Sequence, residues 1–174
     1  LMDKVLEVIS EAWKDSDFAD KKKHCIYFGD KLEMSRKFKF RKLLNLAEGE
    51  ELWFHAGGKG YKAGFAFTNF GLHFMTFQDG FFSSILMFPK GDSGFVNYDD
   101  LKSLHIAYAD RCYGSNYYGH NLIVNNDYQG LIRMSNGITY DEPAIKFCNQ
   151  LFNKLVGTCL ESGPDLEAFP DTCI

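Results

Sequence analysis

The sequence predicts an α+β domain: an antiparallel β-barrel or sandwich of about seven strands, capped by a C-terminal helix and preceded by a helical extension. Three observations carry this. The stretch from Tyr61 to Phe88 holds nearly half of the seventeen phenylalanines, and its apolar residues alternate: Ala63, Phe65, Phe67, then Phe70, Leu72, Phe74, then Phe81, Ile85, Met87. Shorter strand-like runs follow it, separated by turn residues. Near the C-terminus, Ala144, Ile145, Cys148, Leu151, Phe152, Leu155 and Cys159 recur at helical spacing.

In order, Asp3 to Lys14 reads as an amphipathic helix, with Val5, Leu6, Ile9, Ala12 and Trp13 on one face. A charged connection leads to the short apolar run Cys25 to Phe28. Lys31 to Ala47 reads as a basic helix, in which Arg36, Lys37, Lys39, Arg41 and Lys42 cluster. They form either a patch for an acidic partner, an RNA or a lipid headgroup, or the solvated face of a packed helix. Glu48, Glu50 and Glu51 follow and partly neutralise the patch.

Glu51 to Ala56 is a strand candidate, and the glycine-rich run from Gly57, which carries Lys59 and Lys62, is a hairpin loop. It fails as a phosphate-binding loop, because no Ser or Thr follows the Lys and a strand rather than a helix comes next. Three antiparallel strands are expected from Tyr61 to Phe88, with Thr68-Asn69 and Gln78-Asp79-Gly80 as turns. Further strands are expected at Gly94 to Tyr98 and Leu101 to Ala109, then a hairpin of Asn121 to Asn125 with Gln129 to Met134 about Asn126-Asp127. Arg111 to His120 reads as a loop. In the last helix, Thr139 and Glu142 have capping-box spacing and Gly157 is the expected stop. The organisation is thus 1–47 extension, 48–160 domain and 161–174 acidic tail.

At 174 residues, with a net charge of −4 and a pI near 5.7, the chain suits one domain and disfavours general nucleic-acid binding. The five cysteines lack paired spacing, which argues against a zinc site and for a reducing, cytoplasmic setting. No apolar run is long enough to span a bilayer, and the N-terminus does not read as a secretory signal.

The strand order followed by one closing helix resembles bacterial pleckstrin-homology-like domain proteins. The residues carrying the likeness are Ile26-Tyr27, the basic helix, Gly64-Phe65-Ala66-Phe67-Thr68-Asn69-Phe70-Gly71-Leu72-His73 and Val96-Asn97-Tyr98-Asp99-Asp100-Leu101. Where that family often carries an acidic residue with Thr ahead of the hairpin, this chain has His55-Ala56-Gly57-Gly58. The resemblance implies a PH-like barrel over roughly residues 24 to 157 and supplies no catalytic residues.

None of the five histidines shows metalloenzyme spacing. Convergence of His55, His73 and Cys112, or a Cys112–His120 nucleophile pair, is the enzymatic alternative. Tyr113, Tyr117 and Tyr118 lie in a loop whose Gly, Ser, Asn and Tyr content suits adaptable recognition. The expected function is non-enzymatic binding of another protein through loops and a sheet edge, with no metal or cofactor. Candidate contacts are Arg36, Lys37, Lys39, Arg41, Lys59, Lys62, Tyr113, Tyr117 and Tyr118. A small acidic immunity or inhibitor protein that neutralises a toxin is the first alternative, since complementary charge speeds capture of a basic target. Binding of a lipid headgroup is the second.

Overall fold

The computed structural model describes residues 1–16, 25–29, 32, 41–57, 63–76, 93–109, 119–132 and 142–161. Helix α1 spans Met2–Asp15. Strands β1 (Ile26–Phe28), β2 (Leu52–Gly57), β3 (Gly64–Thr68), β4 (Gly71–Met75) and β5 (Ser93–Asn97) follow, then a 3-10 turn at Tyr98–Asp100. Strands β6 (Leu104–Ala109), β7 (Gly119–Val124) and β8 (Asp127–Ile132) precede helix α2 (Glu142–Glu161). The fold is α+β, with a five-stranded antiparallel sheet in the order β1-β2-β3-β4-β5 and a three-stranded antiparallel sheet β6-β7-β8. The two sheets are not hydrogen-bonded into one closed barrel among the described residues. Among the described residues, the Thr76 hydroxyl, just after β4, donates to the Gln129 carbonyl of β8 at 2.5 Å and so links the two sheets.

The alternation in β3 and β4 puts Phe65, Phe67, Leu72 and Phe74 on the inner face. From β2 and β1 come Phe54, Ala56 and Ile26. Helix α2 inserts Phe152 against Phe65 and Phe67, edge-on, with ring centroids 4.9 and 6.1 Å apart. Its Phe147 meets Phe54 at 6.4 Å. Helix α1 packs on α2 with Val5, Ile9 and Ala12, and its Trp13 lies 5.7 Å from the Phe28 ring. Strand β1 therefore belongs to the sheet, although it comes from the stretch expected as an extension.

Helix α2 also covers an edge of the smaller sheet. The Asn149 side chain accepts from the Ile106 N–H at 2.8 Å and donates to the Ile106 carbonyl at 3.0 Å, as a neighbouring strand would. Strand β6 lies at the end of its sheet, so this pairing occupies backbone groups that would otherwise invite another chain.

Several expectations need correction. The third strand of the meander was expected at Phe81 to Phe88, which lies outside the described residues. The described strands that pair with β4 are β3 on one edge and β5 on the other. The β7–β8 turn falls on Asn125-Asn126 rather than Asn126-Asp127. Both have positive φ, 53° and 67°, the pair of left-handed residues that a tight hairpin uses. Gly119 and His120, expected in a loop, begin β7. Gly157 does not stop α2, because Leu155 and Cys159 carry the buried stripe past it and the helix continues to Glu161. Of the helix expected over Lys31 to Ala47, the described residues show a helical turn at 41–44, closed by the Leu46 N–H donating to the Arg41 carbonyl at 3.0 Å.

Candidate functional site

The outer face of the five-stranded sheet is not simply a solvated surface. One cross-strand row runs Tyr27, His55, Ala66, His73, Phe95, each opposite the next in register. Tyr27 stacks on His55 with centroids 6.0 Å apart, and His73 tilts against Phe95 at 4.6 Å. A second apolar cluster of Cys25, Tyr27, Leu32, Leu52 and Ala66, with Leu44 and Leu46 packed against it, covers one end of this face. Strand β3 is consequently buried on both sides.

Glu50 reaches into this face from the loop before β2. It is 3% exposed, while its neighbours Gly49 and Glu51 are exposed. Its Oε1 accepts from the Thr68 hydroxyl at 2.6 Å and faces His73 Nε2 at 2.5 Å, and its Oε2 accepts from the Ala47 N–H at 3.0 Å. An ionised carboxylate only accepts, so His73 Nε2 carries the proton in this pair. Burial alone pushes the Glu50 carboxyl up, but the hydrogen bonds from Thr68, Ala47 and His73, with the attraction of His73, outweigh it and hold the group below its ordinary value. Both carboxylate oxygens are occupied, an arrangement that suits fastening a loop.

The same loop is held from outside. The Arg41 guanidinium donates to the Glu50 carbonyl at 2.5 Å and to the Ala47 carbonyl at 3.1 Å. Asn69 accepts from the Glu51 N–H at 2.7 Å and donates to the Gly49 carbonyl at 3.2 Å. Thr68 organises the β3–β4 turn by accepting from the N–H groups of Phe70 and Gly71, each at 3.2 Å. The buried Tyr98 hydroxyl donates to the Thr68 carbonyl at 2.6 Å, which brings the Tyr98–Asp100 turn to the same end. Burial, with smaller contributions from Cys159 and Glu50, pushes the Tyr98 phenol well above its ordinary value. Cys25, Cys148 and Cys159 are buried thiols with no disulfide, and burial with the Asp99 charge pushes Cys159 up to about 11, against a smaller opposing effect of the N-terminal amine.

Among the described residues, large apolar side chains are exposed near this end. Phe70, in the β3–β4 turn, is 43% exposed, and Phe95 on β5 is 44% exposed. The Phe95 ring lies over Gly71, where a Cβ would meet it at 2.9 Å. Phe70 is the preceding residue, so both aromatics belong to the tip of the β3–β4 hairpin and the strand beside it. Glu48, Glu51, Asp99 and Asp100 are exposed.

Of the residues singled out from the sequence, Arg41 is described, and it is committed to the two loop carbonyls. Arg36, Lys37, Lys39, Lys59, Lys62, Tyr113, Tyr117 and Tyr118 lie outside the described residues, as does Cys112. His55 and His73 share one sheet row but are separated by β3, and no group of three or more His, Cys, Asp or Glu suited to a metal occurs among the described residues. No described helix is long and apolar enough to cross a membrane. Sequence reasoning missed Glu50, Asn69, Phe70 and Phe95 as site residues. Glu50 carried no signal beyond being one of three nearby glutamates, whereas Phe70 follows a turn pair and was assigned to the core by alternation. Comparison of the chain with family models, with curated proteins and with solved structures finds no match.

Proposed function

We propose that the chain is a non-enzymatic protein-recognition module of pleckstrin-homology-like architecture. The element order among the described residues supports the architecture: the antiparallel strands β2 to β5, then β6 to β8, then α2 across the core, with α1 and β1 as additions. The observation that carries the recognition reading is that two large aromatics are exposed near one fastened turn: Phe70 in the β3–β4 turn, which the Glu50, Asn69 and Tyr98 hydrogen bonds hold, and Phe95 on β5, whose ring lies over Gly71. Exposed aromatics on a preorganised surface supply apolar area on binding with little ordering cost. A lipid-headgroup reading draws on the basic stretch, whose described members are the exposed Lys42 and Arg41, the latter already donating to backbone carbonyls.

Photocrosslinking tests this. Benzoylphenylalanine placed at Phe95 in the native cell is expected to trap a discrete protein adduct. The same probe at Tyr128, an exposed aromatic on β8, is the control. Equal or no adduct formation at the two positions would defeat the proposal.

A further inference from the structure

We infer that Phe95 is a lid: its ring keeps water from the buried Glu50–His73 pair, and through that pair it sets how firmly the loop at 47–51 is held to the sheet. The pair joins His73 Nε2 to Glu50 Oε1 at 2.5 Å. Its cover follows from the register of the strands. On the outer face, His73 has Ala66 opposite it on β3 and Phe95 opposite it on β5. Gly71 and Met75 lie two residues either way along β4, and Ser93 and Asn97 flank Phe95 on the same face. Among these neighbours only Met75 and Phe95 are large, and the Phe95 ring meets the imidazole with centroids 4.6 Å apart. Gly71 leaves room for that ring, since a Cβ there would stand 2.9 Å from it. The ring is thus seated on β4, while the residue as a whole is 44% exposed.

Water matters at this place because a hydrogen bond to a charged group is stronger in a low-dielectric surrounding. Water that reaches it screens the attraction and competes for both donor and acceptor. Glu50 and His73 are buried, although the loop residues on either side of Glu50 are exposed. The dry region is therefore small, and Phe95 closes it on the β5 side. Other ties of the loop depend on the same carboxylate staying in place. The Ala47 N–H donates to Glu50 Oε2 at 3.0 Å, and Arg41 donates to the carbonyls of Glu50 and Ala47. Opening the pair to water loosens Ala47 first. An occupant resting on the exposed part of Phe95 therefore tightens the loop, and by linkage a loosened loop weakens that occupant. This last consequence rests on the protein-recognition reading, whereas the lid does not.

The test uses the full chain alone, labelled with 15N, in three variants. Phe95→Thr removes the ring but keeps a residue that favours a strand. Phe95→Leu keeps an apolar cover, and Tyr128→Thr makes a like change at an exposed aromatic of the other sheet. Two signals are followed by NMR: the His73 Nε2 proton, and exchange of the Ala47 amide relative to the amides of β7. The Nε2 proton should be visible in the parent, in Phe95→Leu and in Tyr128→Thr, and lost through rapid exchange with water in Phe95→Thr. In that variant the Ala47 amide should exchange roughly tenfold faster or more, with β7 unchanged. A Phe95→Thr chain that keeps the Nε2 signal and the Ala47 protection would overturn the lid. So would acceleration at Ala47 no greater than at β7, which would make the ring a contributor to global stability only. A signal missing from the parent would mean that water already reaches the pair, and would overturn it too. Each of these results leaves the recognition reading standing; that reading fails instead if crosslinking at position 95 gives no adduct beyond the Tyr128 control while the NMR results hold.

Discussion

Glu50 and His73 lie 23 positions apart and meet at 2.5 Å beneath the outer face of the five-stranded sheet. Through them the loop before β2 is fastened to the middle of β4. That contact, with the Thr68 and Asn69 hydrogen bonds beside it, fixes the hairpin tip that carries Phe70 and adjoins Phe95 on β5.

Replacing the carboxylate should expose how much this fastening contributes. In Glu50→Gln, the amide NH2 must face either the Ala47 N–H or the Thr68 and His73 donors, so a donor meets a donor. Losing a buried hydrogen bond to a charged group costs about 1.5–3 kcal/mol. Chemical denaturation should show that loss as a lower midpoint with an unchanged slope. A midpoint equal to that of the parent protein would mean that the loop is held without Glu50.

The same group gives an acid limb to stability. The folded pKa of Glu50 lies below its ordinary 4.5, so the native state favours the ionised form more than the unfolded chain does. Its contribution is fully present above that ordinary value and is lost as the pH falls through the lower folded pKa. Urea midpoints measured from neutral to acidic pH should therefore drop more steeply in the parent than in Glu50→Gln. Parallel curves would contradict the assignment.

Asn149 should protect an edge. Asn149→Ala removes both bonds to Ile106 and leaves its backbone groups without that partner, which costs about 1–3 kcal/mol. Hydrogen exchange should speed up at the Ile106 amide more than at the central strand β7. Unchanged exchange at Ile106 would show that the amide contact is incidental.

Two glycines should respond in opposite directions. Gly157 lies inside α2 with no atom within 4 Å of where a Cβ would stand, so Gly157→Ala should stabilise by about 0.5–1 kcal/mol. At Gly94, a Cβ would fall within the Phe74 ring, so Gly94→Ala should destabilise by about 1–3 kcal/mol through overpacking. Thermal melts of the two variants, displaced to opposite sides of the parent, are the readout.

Much of the frame was legible in the chain because its cause is periodic. The helical spacing of Val5, Ile9 and Ala12 and of Ala144, Cys148, Leu151 and Leu155 located both long helices. The alternation of Phe65, Phe67, Leu72 and Phe74 located β3 and β4 and their inner face. Pairing was less legible. The aromatic run at Phe81 to Phe88 looked the better partner for β4, yet the pairing strand is Ser93–Asn97, whose alternation is weak because Gly94 must make room for Phe74. The stop expected at Gly157 failed because an isolated glycine ends a helix only when the apolar stripe ends with it, and Cys159 continues the stripe. The site itself was the least legible. Glu50 and Glu51 are chemically alike in sequence, and only the fold turns one toward His73 and leaves the other in water.

The most direct test of the recognition account is the hydrogen-exchange footprint of the chain bound to the protein trapped at position 95. The account predicts new protection at residues 48–51, 68–71 and 93–100, with β8 and the outer face of α1 unchanged. Protection confined to β6–β8 or α1, with the hairpin tip exchanging as in the unbound chain, would contradict it.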